Sequence, residues 1–549
     1  MDDGYAAQGE APFMHSTYAR RGAHIMMPCK RLIGWAWPLA GALAAGAAVA
    51  LVSGCTVGPD FHRPPAPALT SYGRPSLAAT TAASDIAGGE AQRFVPDQEL
   101  ASQWWTLFQS PPLNALIERA LQASPTLVAA EAALRQALEL VYAQRGASYP
   151  TIQASFAPSY QKSSGTLAPP LNSNELTYPL YTAQATLSWM PDVFGGNRRQ
   201  VEALIGSAEA QRFQLEAAYL TLTTNLASAA IQEASVRAQI AATYEIIALS
   251  TQSLALTRRR YELGDVAQLD VAAQEAALAQ AQQPLPPLQK QLEQTRNLLA
   301  ALAGRFPSEA PEETFELAAL RLPQELPVGL PATLVAYRPD VRVAEAQLHA
   351  ASAQIGVAVA NRLPQFTITA AYGGSSTVFT KMFANGNPFW SLVGNVMQPL
   401  FDAGTLRHRQ RAAEAAFAQA AAQYHSTVLS AFQNVADTLY ALHSDAEALQ
   451  AAVATEQATK KSLDLTLAAQ QLGAVTYLQV LTAQQAYRQA LLTRVQAQAA
   501  RLADVVMLFQ ALGGGWWHRP DHHEGAENGR ETVSTSASEP HPAGQPGRP

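Results

Sequence analysis

The chain has 549 residues, a formal net charge of -6 and 15% charged residues, below the ~25% typical of soluble domains. A mildly acidic chain without basic blocks argues against a nucleic-acid partner. Two cysteines, Cys29 and Cys55, leave no room for a disulfide framework or a cysteine metal cluster.

Lys30 and Arg31 precede an apolar run over residues 32–52, which ends Leu51-Val52-Ser53-Gly54-Cys55. A basic start, an apolar core, small residues and a cysteine form the layout of a bacterial lipoprotein signal. Residues 1–54 are then a signal with an N-terminal extension, and Cys55 is the lipid-bearing first residue of the mature chain. The competing reading is an uncleaved anchor, because the run is about long enough to span a bilayer. Residues 1–25 carry no apolar core, so Met26 or Met27 is the expected start. Residues 56–67 are polar and proline-rich and read as a flexible tether. After the signal no stretch approaches ~20 continuous apolar residues, so the chain can cross a membrane only by strands closed into a barrel.

The remainder is written twice. Pro125 and Pro150 reappear as Pro339 and Pro364, Phe194 as Phe401, and Leu263-Gly264 as Leu472-Gly473. The spacing changes most around 161–180, which marks a loop where insertions are tolerated. Each repeat predicts a short helix, two strands, a long helix and a medium helix. Ile152, Ala154, Phe156 and Tyr160 share one strand face. Tyr181, Ala183, Ala185, Leu187 and Trp189 alternate with Thr182, Gln184, Thr186 and Ser188. Phe366, Ile368, Ala370 and Tyr372 do the same, and a fourth strand is expected near 389–398. Alternation of this length fits membrane β-strands.

The long helices are predicted over 197–263 and 405–472, each about 100 Å at 1.5 Å per residue. Phe417, Tyr424, Ala431 and Thr438, with Ala421, Val428, Val435 and Leu442, predict a coiled-coil seam. Residues 125–148 and 266–303 together match 197–263 in length, so two shorter helices stacked end to end can line one long one. Residues 339–362 and 475–512 repeat that match. The turns at Leu263-Gly264-Asp265 and Leu472-Gly473-Ala474 then form the far tip, where glycine suits a left-handed helix end. The cluster Pro284-Leu285-Pro286-Pro287 must break the first medium helix; the second repeat has no counterpart.

Four stretches carry a family resemblance. They are Cys55-Thr-Val-Gly-Pro-Asp-Phe61, then Trp104-Trp-Thr-Leu-Phe108 with Leu113-Asn-Ala-Leu-Ile117, then Arg338-Pro-Asp-Val-Arg-Val-Ala-Glu-Ala-Gln-Leu348 leading into Gln354-Ile-Gly-Val-Ala358, and Gln398-Pro-Leu-Phe-Asp-Ala-Gly-Thr-Leu406. Over roughly 55–515 the chain resembles the TolC-like outer-membrane factors, and most closely the NodT-type lipoproteins of RND efflux systems. The resemblance implies an α+β membrane protein that forms a homotrimer. Four strands per chain would close a twelve-stranded β-barrel, continuous with a long periplasmic α-helical barrel. The implied division is a lipid-anchored segment 55–124, a first repeat 125–304, an equatorial linker 305–338, a second repeat 339–514 and a disordered tail 515–549. Thr56 after the lipid cysteine is compatible with delivery to the cell outer membrane and contact with its lipid.

The implied function is passive conduction of drugs or other small toxic molecules. An inner-membrane RND pump would supply the energy through a periplasmic adaptor, or membrane fusion protein, that meets the tips at 258–270 and 467–480. Leu478 matches the family's apolar constriction. Thr482 stands where aspartate is common, which puts an acidic ring there in doubt. Asp265 and Asp270 could supply that charge or simply be solvated at a helix end. Arg258, Arg259 and Arg260 could latch the tip or be solvated, as cations are at helix C-termini. No nucleotide loop, catalytic constellation or cofactor motif is present. His408, His425 and His443 lack metal-pair spacing. His518, His522 and His523, with Asp521 and Glu524, belong to the expected tail and could bind metal only weakly. An outlet for a secreted protein or peptide is the nearer alternative. A lipid-anchored coiled-coil scaffold without a pore is the distant one.

Overall fold

A computed structural model describes residues 56–69, 71–72, 78–96, 98, 100–166, 175–309, 313–329 and 331–519. Cys55, the signal before it, His522 and His523 lie outside them. Among the described residues, no helix is long and apolar enough to cross a membrane.

The duplicated order is observed. In the first repeat α2 (Pro125–Gly146) leads to strands β2 (Thr151–Lys162) and β3 (Thr177–Trp189), then to the 67-residue helix α3 (Gly196–Glu262). In the second, α7 (Pro339–Ala360) leads to β5 (Gln365–Ser376) and β6 (Pro388–Met397), then to the 67-residue α8 (Thr405–Gln471). Both long helices start on an aspartate. Asp192 accepts hydrogen bonds from the amides of Asn197 (2.9 Å) and Arg198 (2.8 Å); Asp402 accepts from Gly404 (2.9 Å) and Leu406 (2.8 Å). These satisfy donors that a helix N-terminus leaves open.

Both long helices end the same way. Asp265 N donates to the Arg260 carbonyl and Ala474 N to the Ala469 carbonyl, each at 2.9 Å. Gly264 (φ 83°) and Gly473 (φ 74°) take the left-handed step that this closure requires. The returning helices differ. The proline cluster divides the first into α4 (Gln268–Gln282) and α5 (Leu285–Leu302), whereas α9 (Tyr477–Ala511) runs unbroken.

The strands form one antiparallel sheet in the order β2-β3-β5-β6. A second, parallel pair, followed by the short helix α6 (Pro331–Tyr337), joins β1 (Arg93–Pro96) to β4 (Glu325–Val328). Around it, α1 (Pro111–Ala123) and the turn Trp104–Phe108 pack into the main core. Trp104, Phe108, Leu113, Leu116 and Ile117 share that core with Leu226 of α3, Leu442 of α8 and Phe509 of α9. A smaller apolar cluster nearer the tip joins Ala242 and Ile246 of α3, Ala281 of α4, Leu463 of α8, and Tyr487 and Leu491 of α9.

Three expectations are corrected. The seam holds at Tyr424, Val428, Ala431, Val435 and Leu442, but Thr438 gives way to Leu439, after which Ala446, Leu449 and Val453 are buried. The buried stripe advances by one position because a straight helix turns every 3.6 residues rather than every 3.5. The tail does not begin at 515. Trp516 Nε1 donates to the Tyr337 carbonyl (2.6 Å), His518 Nδ1 lies 3.1 Å from the Leu100 carbonyl, and Arg519 pairs with Glu216 (2.9 Å). Aromatic and charged partners far back in the chain hold these residues. Nor is the start of 56–67 a loose tether. Val57 N donates to the Phe194 carbonyl (3.2 Å), Arg63 pairs with Glu345 (3.0 Å), and Phe61 stacks on His349 at 4.5 Å.

Candidate functional site: conduit wall, belt and tip

The sheet has two chemically opposite faces, read directly from its register. On one face Ile152 pairs with Leu187, Leu187 with Ala370, and Ala370 with Leu392; Ala185 pairs with Tyr372, and Tyr372 with Trp390. On the other, Ser155 pairs with Gln184, Gln153 with Thr186, Ser188 with Thr369, and Thr367 with Asn395. Lys162, at the loop end of β2, is the sole charged residue in the four strands. The apolar face stays open to solvent in one chain: Ile152 is 73% exposed, Trp390 77% and Leu392 68%. The loop after β5 turns back over it, with Phe379 edge-on to Phe156 (5.8 Å) and Tyr181 (5.9 Å). An apolar band with aromatics towards both ends, backed by hydroxyls and amides, is the wall of a water-filled barrel in lipid. The outermost strands, β2 and β6, have unpaired edges, which lipid does not tolerate.

At the helix end of the sheet, Arg199 of α3 is 4% exposed. Its Nε donates to the Val57 carbonyl (3.0 Å), Nη2 bonds Asp60 (2.7 Å) and Nη1 bonds Glu202 (2.7 Å). A Cβ on Gly58 would sit 2.4 Å from the Gly356 Cα, so the strap formed by residues 56–64 touches α7 backbone to backbone. Nearer the middle of the long helices, Arg501 of α9 is fully buried. It donates to the Glu90 carbonyl (2.5 Å) and the Thr81 hydroxyl (3.1 Å), fixing the segment before β1 across α9. One turn on, burial first and the Asp445 carboxylate second push the Asp504 carboxyl up to about 7. Asp504 Oδ2 is buried without a donor, so its hydrogen bond to Asp445 forms only when one of the two carries a proton.

The tip gathers most of the expected site residues. Leu478 is 69% exposed in the first turn of α9, and the Thr482 hydroxyl donates back to its carbonyl at 2.9 Å. Asp270 caps α4 by accepting from the Ala267 amide (3.1 Å). Asp265 lies 4.0 Å from Arg260. Arg259 pairs within its own helix with Glu262 (2.9 Å), whereas Arg258 reaches across the turn to Glu275 of α4 (2.6 Å). Burial pushes the Tyr477 hydroxyl up to about 12, and Asp270 adds to the shift. Glu275, Arg199, Arg501 and the Asp445–Asp504 pair were not singled out from sequence. Their partners are distant in the chain, and only the fold brings them together.

A two-faced sheet continuous with a long helical rod defines the wall of a membrane channel. The family model for the outer membrane efflux protein matches residues 116–305 and 330–514. The chain is 31% identical over 433 residues to the pyoverdine export outer membrane protein OpmQ of Pseudomonas putida, covering 77% of this chain and 89% of that one. It is 27% identical over 481 residues to the "Probable outer membrane lipoprotein SilC" of Salmonella typhimurium, covering 85% and 97%. Among solved structures, the outer-membrane channel OprN superposes with a TM-score of 0.75 at 26% identity, covering 84% of this chain and all of that one. The chain belongs to the outer membrane efflux protein family. Its fold is that of the family's trimeric channels, in which four strands from each of three chains close the barrel. It is an efflux channel of the cell outer membrane, extending into the periplasm.

Proposed function

We propose that this channel is the passive exit duct of a tripartite pump. It would receive small compounds from an inner-membrane RND transporter through a periplasmic adaptor seated on the tip turns at 258–270 and 467–480. The observation that carries this is the uncharged polar face of the sheet, which leads into helices long enough to reach far from the membrane. The driving force would come from the inner-membrane partner. Export of pyoverdine by the related OpmQ supports small, soluble organic cargo. Cys55 carries the lipid, as the lipoprotein name of SilC supports. Leu478 narrows the tip, and Asp265 with Asp270 gives it negative charge that favours cations.

Single-channel recording of the purified trimer in planar bilayers tests this. Small, cation-selective openings that enlarge in Leu478→Ala are expected. A trimer that inserts but conducts identically in both forms would reject Leu478 as the constriction. A chain that never trimerises would return the scaffold reading.

A further inference from the structure

The helix break at residues 283–284 carries a contact between the repeats. Pro284 has no N–H, so the Gln280 carbonyl loses the donor that a continuous helix would give it. The second repeat supplies another: Arg488 of α9 donates from Nη1 to the Gln280 carbonyl at 3.3 Å. The contact lies beside the small apolar cluster of Ala242, Ile246, Ala281, Leu463, Tyr487 and Leu491. Tipward of that cluster, α4 is held to α3 by polar contacts. Gln274 Nε2 donates to the Ser250 carbonyl (3.1 Å), and Glu275 meets Arg258 (2.6 Å). The buried residues of α4 are Gln274 and Ala281 alone. This 15-residue helix therefore has a proline break at one end, a glycine turn at the other and little apolar packing between.

We propose that Arg488 is a positioning residue for the tip: its guanidinium replaces the missing Pro284 donor, and so sets where α4 stands against the second repeat and how wide the tip opens. The last clause rests on the reading of the tip as the gate. Without the guanidinium, α4 pivots about 283–284.

The test uses the full lipidated trimer and reads hydrogen exchange over 268–282, with 205–235 of α3 as the internal reference. Arg488→Met keeps the apolar stem and removes the donors; exchange in 268–282 should rise roughly three- to tenfold, the worth of one half-exposed charge-assisted bond. Arg488→Lys should restore most of the protection. Pro284 already has helical angles (φ -73°, ψ -17°), so Pro284→Ala returns an amide donor to Gln280 without strain. In that background Arg488→Met should have no further effect. Unchanged exchange in Arg488→Met, or a rise of equal size in the Pro284→Ala background, overturns the proposal. In bilayers, Arg488→Met should open more often than the parent. If exchange rises but openings do not, α4 does not set the aperture. If Leu478→Ala is silent in the same bilayers, it is the gate reading that fails.

Discussion

Two neighbouring residues of β3 give the sharpest test of which face lines the conduit. Gln184 stands between Ser155 and Gly373, and Ala185 between Ala154 and Tyr372. Both lie near the middle of a 13-residue strand, so they share membrane depth and intrinsic strand preference, and only the face differs. A lysine on the lipid face near the midplane costs about 2–4 kcal/mol per chain, hence roughly 6–12 kcal/mol per trimer. Ala185→Lys should therefore lower the temperature at which the trimer dissociates, or prevent insertion altogether. Gln184→Lys should leave that temperature within a few degrees. It places three positive charges in a lumen whose strands otherwise offer hydroxyls and amides, so the reversal potential in a KCl gradient should move towards anions. Thermal dissociation of the trimer and bilayer recording read the two effects. The opposite outcome, an intact trimer in Ala185→Lys with altered selectivity and a lost trimer in Gln184→Lys, would invert the barrel and refute the reasoning.

Arg199→Met removes the buried donors that hold 57–60, at a cost of about 2–3 kcal/mol; limited proteolysis should then cut within 56–64, and protection equal to the parent would contradict the strap. Gly58→Ala should release the same segment by clashing with the Gly356 backbone, with Gly146→Ala, whose surroundings are open, as the neutral control. Asp504 binds a proton in the folded state up to about 7, against an ordinary value of 3.8, so its contribution to stability is full below 3.8 and is lost as pH rises through about 7. Asp504→Asn should thus melt higher than the parent at pH 8 and alike at pH 3.5, and an equal shift at both would exclude this carboxyl as the cause. Phe509 is fully buried with its ring 5.4 Å from Trp104, so Phe509→Ala should cost about 3–5 kcal/mol in denaturant unfolding; a loss of less than about 1 kcal/mol would mean the main core around Trp104 does not hold the rod.

The features legible in sequence are those whose cause is local. Proline at 125 and 339 starts helices, glycine at 264 and 473 ends them, and alternation over 181–189 needs only the period of a strand. Even the break at 283–284 follows from Pro284, Pro286 and Pro287, which have no N–H to give. What composition could not reveal has remote partners. Residues 56–64 look like a tether because prolines and polar side chains are what tethers contain. They are ordered because Arg199, 142 residues after Val57, turns its guanidinium on their carbonyls. The β1–β4 pair joins Arg93 to Glu325, a distance no local pattern encodes. Asp270 shows a role that its place near a tip turn does not announce: three residues after Ala267, its carboxylate also caps a helix.

The duplication explains both what one chain can build and what it cannot. Two copies of a strand pair give a sheet of four, with every residue of β2 exposed and two edges unpaired. Neither edge can be left in hydrocarbon, and each edge is the complement of the other in an antiparallel order, so the same chain can pair β6 with the β2 of a neighbour. Closure by three copies then gives six long helices, near-equivalent in length and capping. Equivalence is lost where the medium helices return, since α9 is continuous and its counterpart is broken at Pro284. A barrel of six identical pairs could change width only by moving all of them together. The proline cluster in each chain divides them into a stiffer and a softer set, and the softer set is the one that Arg488 reaches across to hold.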